Sequence, residues 1–141
     1  MKALLLLPVL LFTMLANGQS GNGTYKSNGY MNCTWDEASN KLKNCKPKLE
    51  DAVIEISTSI SKISIVTTST LSYNIIRNST KKINEEDVNY YYLVTDKDGN
   101  YFRLTLEDRG ITKELKIVSC DKNQHPVFYN GETNEKQWLI M

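Results

Sequence analysis

The amino-acid sequence predicts an all-β domain: an antiparallel meander of about eight short strands forming a small barrel or sandwich, with a disulfide-bearing segment near its N-terminal end. Three observations carry this expectation. From Ala52 onward apolar residues recur at every second position, the rhythm of a half-buried strand. Turn signals rich in Gly, Asn and Asp interrupt those runs at roughly 8 to 12 residue spacing. Two successive hairpins within residues 89–120 agree on which side chains share a face, and agreement across two turns is harder to reach by accident than one strand assignment.

The chain begins with Lys2, an apolar run from Ala3 to Leu15, and small residues at Ala16 and Gly18. This pattern reads as a secretory signal over residues 1–18, since the run falls short of the roughly 20 residues that a membrane span needs. The C-terminal "KQWLIM" is too short for a glycolipid-anchor tail. A secreted, extracellular, soluble chain beginning at Gln19 is expected. Removing Lys2 takes one from the 17 Lys+Arg, which then match the 16 Asp+Glu. With net charge near zero and no basic stripe, the footprint needed to bind phosphate backbones is missing, so nucleic acid is not an expected partner. Residues 19–30, "QSGNGTYKSNGY", read as a flexible arm, and 31–141 as a single β domain.

Three N-x-S/T sequons, at Asn22, Asn32 and Asn78, become glycosylation candidates behind a secretory signal. Asn32 abuts Cys33 and is skipped if a disulfide forms there first. The cysteines are Cys33, Cys45 and Cys120, an odd number for an oxidising compartment. If "MNCTW" and "LKNCK" are hairpin arms, Cys33 faces Cys45 and a cross-strand bridge is easy. A short helix capped by Thr34 and Glu37 would instead leave one of them to reach Cys120. In the local pairing, Cys120 stays unpaired or joins a second chain as a disulfide-linked homodimer.

Further along, Ile54, Ile56, Thr58 and Ile60 share one face, and the phase flips to Ile63, Ile65 and Thr67, which marks a tight turn or bulge. "LSYNIIR" follows as a strand, then "NSTKKINEEDV" as a polar loop carrying Asn78. A two-residue turn at Asp98-Gly99 sets Thr95 opposite Phe102 and Leu93 opposite Leu104; one at Arg109-Gly110 sets Leu104 opposite Leu115 and Phe102 opposite Ile117. "PVFYN" and "QWLIM" complete the set. The candidate interior is therefore Ile56, Leu93, Phe102, Leu104 and Ile117. The candidate interaction face is Tyr90, Tyr92, Tyr101 and Arg103, residue types that interfaces favour.

Residues 96–107 superficially follow a calcium-loop spacing, with Asp96, Asp98, Asn100 and Glu107 at oxygen-ligand positions. Tyr101 stands where the loop requires Gly, and strand-forming residues flank it, so a hairpin turn is the expected structure. The lone His125 cannot build a usual metal site, and a Cys120/His125 nucleophile and base couple is the sharpest enzymatic idea available. No catalytic, cofactor-binding or metal residue is assigned, and no enzyme is expected. The leading functional expectation is a secreted, N-glycosylated, non-enzymatic binding module for a protein or glycan. A small calycin-type barrel carrying an apolar small molecule is the alternative. The G-x-W signature of lipocalin-type first strands is absent, and no family resemblance is drawn.

Overall fold

A computed structural model describes residues 21–141 as eight antiparallel strands in one meander that closes on itself as a barrel. The strands are β1 (Gly23–Asp36), β2 (Lys41–Ser57), β3 (Lys62–Val66), β4 (Thr70–Lys82), β5 (Val88–Thr95), β6 (Tyr101–Asp108), β7 (Lys113–Ser119) and β8 (Glu132–Ile140). Each pairs with its sequence neighbours, and β8 pairs back onto β1. The secretory signal expected over residues 1–18 lies outside the described residues. Among those residues no helix is long and apolar enough to cross a membrane.

The period-two rhythm becomes the wall of the barrel. Ile54 and Ile56 pair with Ile65 and Ile63 across the turn at 58–61, so the flip of phase is the β2–β3 hairpin. These four fill the interior with Tyr73, Leu104, Leu106, Leu115 and Trp138. Full burial of each such aliphatic side chain contributes roughly 1.5–3 kcal/mol, so the interior set dominates the stability of the fold.

Several expectations need correcting. The stretch read as a flexible arm is strand from Gly23 onward: Tyr25 pairs with Ile54 and packs on the core, and a bulge at Ser27/Gly29 keeps the strand bent around the barrel. A side chain at Gly29 would run into the Lys48 carbonyl, so the close approach of β1 and β2 there requires glycine. β4 continues through Lys82, which puts Asn78 on a strand instead of in a loop. "PVFYN" is irregular, tied down by isolated bridges of Cys120 to Pro126 and Tyr129 to Glu132 and by the Val127 amide donating to the Ser119 carbonyl at 3.0 Å.

The largest correction concerns register. Thr95 pairs with Tyr101, not Phe102, because the β5–β6 connection spans residues 96–100. Asp96 shapes that loop. Its Oδ1 accepts from the amides of Asp98 and Asn100, both at 2.9 Å, and its Oδ2 accepts from the Asn100 amide group at 3.1 Å. Gly99 supplies the left-handed conformation, at φ 82°. A one-residue slip turns every side chain of a strand to the other face. Tyr90, Tyr92 and Val94 therefore point into the barrel, and Leu93 points out, between Arg77 and Arg103. The β6–β7 register also differs, with Leu104 opposite Ile117 and Leu106 opposite Leu115, but a two-residue slip preserves the face.

Outside the wall, residues 120–131 form a partial second layer tied to β4, β6 and β1. Arg77 donates to the Lys122 carbonyl and Arg103 to that of Gln124, both at 3.1 Å, so the two arginines flanking Leu93 fasten the segment over it. Leu93 is 1% exposed, and Val118, Cys120 and Cys33 are buried in the same outer layer. Phe128 meets Trp35 edge-on at 6.3 Å.

β3 is the shortest strand, and it leaves two edges open. Residues 41–51 of β2 pair only with β1, and residues 77–82 of β4 only with β5. Lys41, Lys43, Lys46, Pro47 and Lys48 line the first, and Asn78, Lys81 and Lys82 the second. Charges and proline on an edge discourage pairing with another chain.

Candidate functional site

The two ends of the barrel differ. Strands in a closed barrel tilt, so a row of cross-strand neighbours climbs from one end toward the other. One such row runs Tyr92, Leu104, Ile117, Lys136, Asn32. Its first members are fully buried; Lys136 is half-buried and Asn32 exposed, so the row emerges at the end that carries the β1–β2 and β7–β8 connections.

At that end a cavity of about 320 Å³ opens, lined by Asn32, Leu71, Tyr73, Phe102, Ile117, Ser119, Asn134, Lys136 and Trp138. Every lining residue occupies an inward strand position of β1, β4, β6, β7 or β8. Tyr73 and Phe102 meet edge to face at 5.6 Å and form one wall. Trp138 lines another side, with the Tyr30 ring packed against it at a centre-to-centre distance of 4.7 Å. The Lys136 ammonium sits 4.4 Å from the Tyr30 ring centre and 5.7 Å from that of Trp138, attracted to their negative faces. The Trp138 indole N–H is buried and finds no acceptor among the described residues. A second cavity of about 330 Å³ shares Leu71, Tyr73 and Phe102 with the first and extends it toward Asp96, Lys97 and Asp98. Burial, with the nearby Asp96 charge adding to it, holds the Tyr73 hydroxyl above its ordinary pKa, so this wall stays uncharged at neutral pH.

The opposite end is filled. Tyr25 donates to the Gly21 carbonyl at 2.8 Å, and Gly21, at φ 71°, sits against the Tyr90 ring and the Tyr92 hydroxyl where a side chain would not fit. Burial first, and neighbouring acid or tyrosine groups second, raise the pKa of all three tyrosines, most of all Tyr92. They remain neutral, hydrogen-bonding, apolar-bodied plugs.

Of the expected interior set, Ile56, Phe102, Leu104 and Ile117 do face inward, whereas Leu93 is buried on the outer side. The expected interaction face does not exist as one patch. Tyr90 and Tyr92 are interior, at 4% and 1% exposure; Tyr101 is outward and exposed; Arg103 is outward but engaged with Gln124 and stacked 5.9 Å above Trp35. Cys33 and Cys45 form the local disulfide. Cys120 is unpaired and buried, which pushes its thiol up to about 11 and keeps it protonated at neutral pH. A buried thiol is poorly placed for an intermolecular bridge. It is also a weak nucleophile, and the exposed His125 ring is turned to Asp121, with Nδ1 3.7 Å from Oδ2. Asn22, Asn32 and Asn78 are all exposed; the Asn22 amide bridges to Thr58, and Asn32 stands on the cavity rim. Among the described residues no group of three or more His, Cys, Asp or Glu is placed to hold a metal ion.

The residues that define the cavity end, Lys136, Asn134, Ser119 and Tyr73, were not singled out by sequence reasoning. A signal was available: stepping back by twos from the inward Trp138 reaches Lys136 and Asn134, polar residues in the phase of the core. No family model, curated protein or solved structure matches the chain.

Proposed function

We propose that this chain is a secreted, N-glycosylated β-barrel that binds one small, mostly apolar molecule in its open end. The observation that carries the reading is the change of interior character along the barrel. Inward positions are mostly aromatic and aliphatic from the Tyr25 end to the waist, with Asp108 and Lys113 closing that rim as an ion pair. At the other end they become Lys136, Asn32, Asn134 and Ser119 around an aromatic-walled cavity, and Lys136 has no acid partner there among the described residues. Asn32 and Asn134 are exposed and Ser119 and Lys136 half-buried, so these polar groups stand at the opening with their hydrogen-bonding capacity available to a ligand. A cavity of about 320 Å³ is of the size that holds one small ligand, and a few polar groups over apolar walls is the usual make-up of such a site. The secretory-type N-terminus, three exposed sequons and the Cys33–Cys45 disulfide support an extracellular setting. Asn32 on the rim is best left bare in this reading, with glycans on Asn22 and Asn78.

The test is titration of the native protein with N-phenyl-1-naphthylamine, an uncharged fluorescent probe. Saturable enhancement with one site per chain is expected, abolished by Ser119→Trp, whose indole would occupy the cavity. No saturable binding, or binding unchanged by Ser119→Trp, refutes the proposal.

A further inference from the structure

We infer that the open end selects an organic anion, a carboxylate or sulfonate carried on a compact aromatic body, and that Lys136 receives the charged head. The inference rests on the small-ligand reading above and adds the ligand's chemical class.

Lys136 is the one charged group among the residues that line the cavity of about 320 Å³; Asp96, Lys97 and Asp98 line only its extension beyond Tyr73 and Phe102. Other lysines near acids are neutralised. Lys116 pairs with Glu107 at 2.9 Å, Lys43 with Glu132 at 3.1 Å, and Lys48 and Lys113 with Glu50 and Asp108, each at 3.6 Å. All of those pairs are partly exposed to solvent. Lys136 occupies an inward position, and no carboxylate of the described residues comes within 4.0 Å of it.

Its ammonium is also held. A lysine that merely snorkelled out of the barrel would extend away from the rings, whereas this one lies over Tyr30 and Trp138, fixed on the cavity side. Ring faces attract a cation without neutralising it, so they position a charge that an anion can still reach. Cross-strand pairing sets Asn32 opposite Lys136, and Asn134 lies two residues along β8 on the same face, so two side-chain amides share the cavity lining with the lysine as further donors. The edge-to-face pair of Tyr73 and Phe102 offers a flat wall for an aromatic body.

Two probes sharing one body separate the head group from the cavity: 1-anilinonaphthalene-8-sulfonate, which carries a sulfonate, and N-phenyl-1-naphthylamine, which lacks it. Wild-type protein should bind the sulfonate at least roughly tenfold more tightly than the neutral probe, and raised salt should narrow that ratio. Lys136→Met, which keeps the stem over the rings, should erase the preference by weakening the sulfonate probe at least roughly tenfold more than the neutral one. Lys136→Arg should retain it. Equal affinity of the wild type for both probes overturns the anion assignment and leaves the small-ligand reading standing. So does equal weakening of both probes by Lys136→Met, which would show a packing role alone. Failure of both probes to bind the wild type overturns the two readings together. The wild-type ratio decides the matter even if Lys136→Met does not fold.

Discussion

The tyrosine-filled end and the lysine-bearing end of this barrel are built from the same strands, and they solve opposite problems. At the first, Tyr25, Tyr90 and Tyr92 close around Gly21, leaving no room there even for a methyl group. At the second, the same cross-strand rows finish in Lys136, Asn32 and Asn134 above a cavity of about 320 Å³. An eight-stranded barrel is just wide enough for side chains to fill it or for one small ligand to replace some of them. Here the choice is made separately at each end. Filling gives stability; the space left at the other end, with polar groups at its opening, is what the proposed small-ligand reading uses.

Truncations at the two ends should separate these roles. Tyr92→Ala, in the solid end, should cost about 3–5 kcal/mol by urea denaturation, the usual range for deleting a buried aromatic ring. The disulfide ranks next. It ties β1 to β2 at the open end, closing a segment with a sequence separation of 12, where β2 has no neighbour on its other side. Replacing both Cys33 and Cys45 with Ser should lower stability by about 2–4 kcal/mol and weaken probe binding as well. Phe102→Ala should cost less than roughly half of what Tyr92→Ala does, because its ring is already partly open to the cavity, yet it should reduce probe affinity most. Equal stability losses from Phe102→Ala and Tyr92→Ala would dissolve the distinction between the ends.

The smallest effect lies in the outer layer, away from both ends. Burial raises the Cys120 thiol from 9.0 to about 11. A group whose folded pKa is raised contributes its stability below the unfolded pKa and loses it as pH climbs through the folded one. Cys120→Ala should therefore flatten a slight loss of stability between pH 9.0 and about 11. Iodoacetamide at pH 8 should label Cys120 slowly in the native protein and rapidly in urea. Fast native labelling would show that residues 120–131 do not cover it.

How much of this was legible in the sequence follows from which residues break an ambiguity and which do not. Ile54, Ile56, Ile63 and Ile65 alternate with polar residues, so their face, the intervening turn and the barrel wall could be read directly. β5 offers no such contrast. Tyr90, Tyr91, Tyr92, Leu93 and Val94 are apolar or aromatic on both faces, because residues 120–131 bury the outer one as well. Only the turn could settle its face, and Asp96, by capping two amides, lengthened the connection to five residues. That odd shift exchanged Leu93 for Tyr92 in the interior. The even shift between β6 and β7 did no such harm, which is why Phe102, Leu104 and Ile117 were placed on the correct side. Phe102 and Ile117, expected as interior, do line the cavity; its polar rim was missed for another reason. Lys136 and Asn134 look like solvent-facing residues unless the phase set by Trp138 is extended through them, and the rule that places polar residues outside discourages that step.

The central claim is that ligand binding belongs to one end of the barrel. Two-dimensional amide NMR of the native protein, titrated with N-phenyl-1-naphthylamine, tests it most directly. Shifts should concentrate on Asn32, Phe102, Ile117, Ser119, Asn134 and Lys136, with Tyr25, Tyr90 and Tyr92 unmoved. Shifts centred on the tyrosine end or on the outer layer over Leu93, or no shifts at saturating probe, would contradict the account.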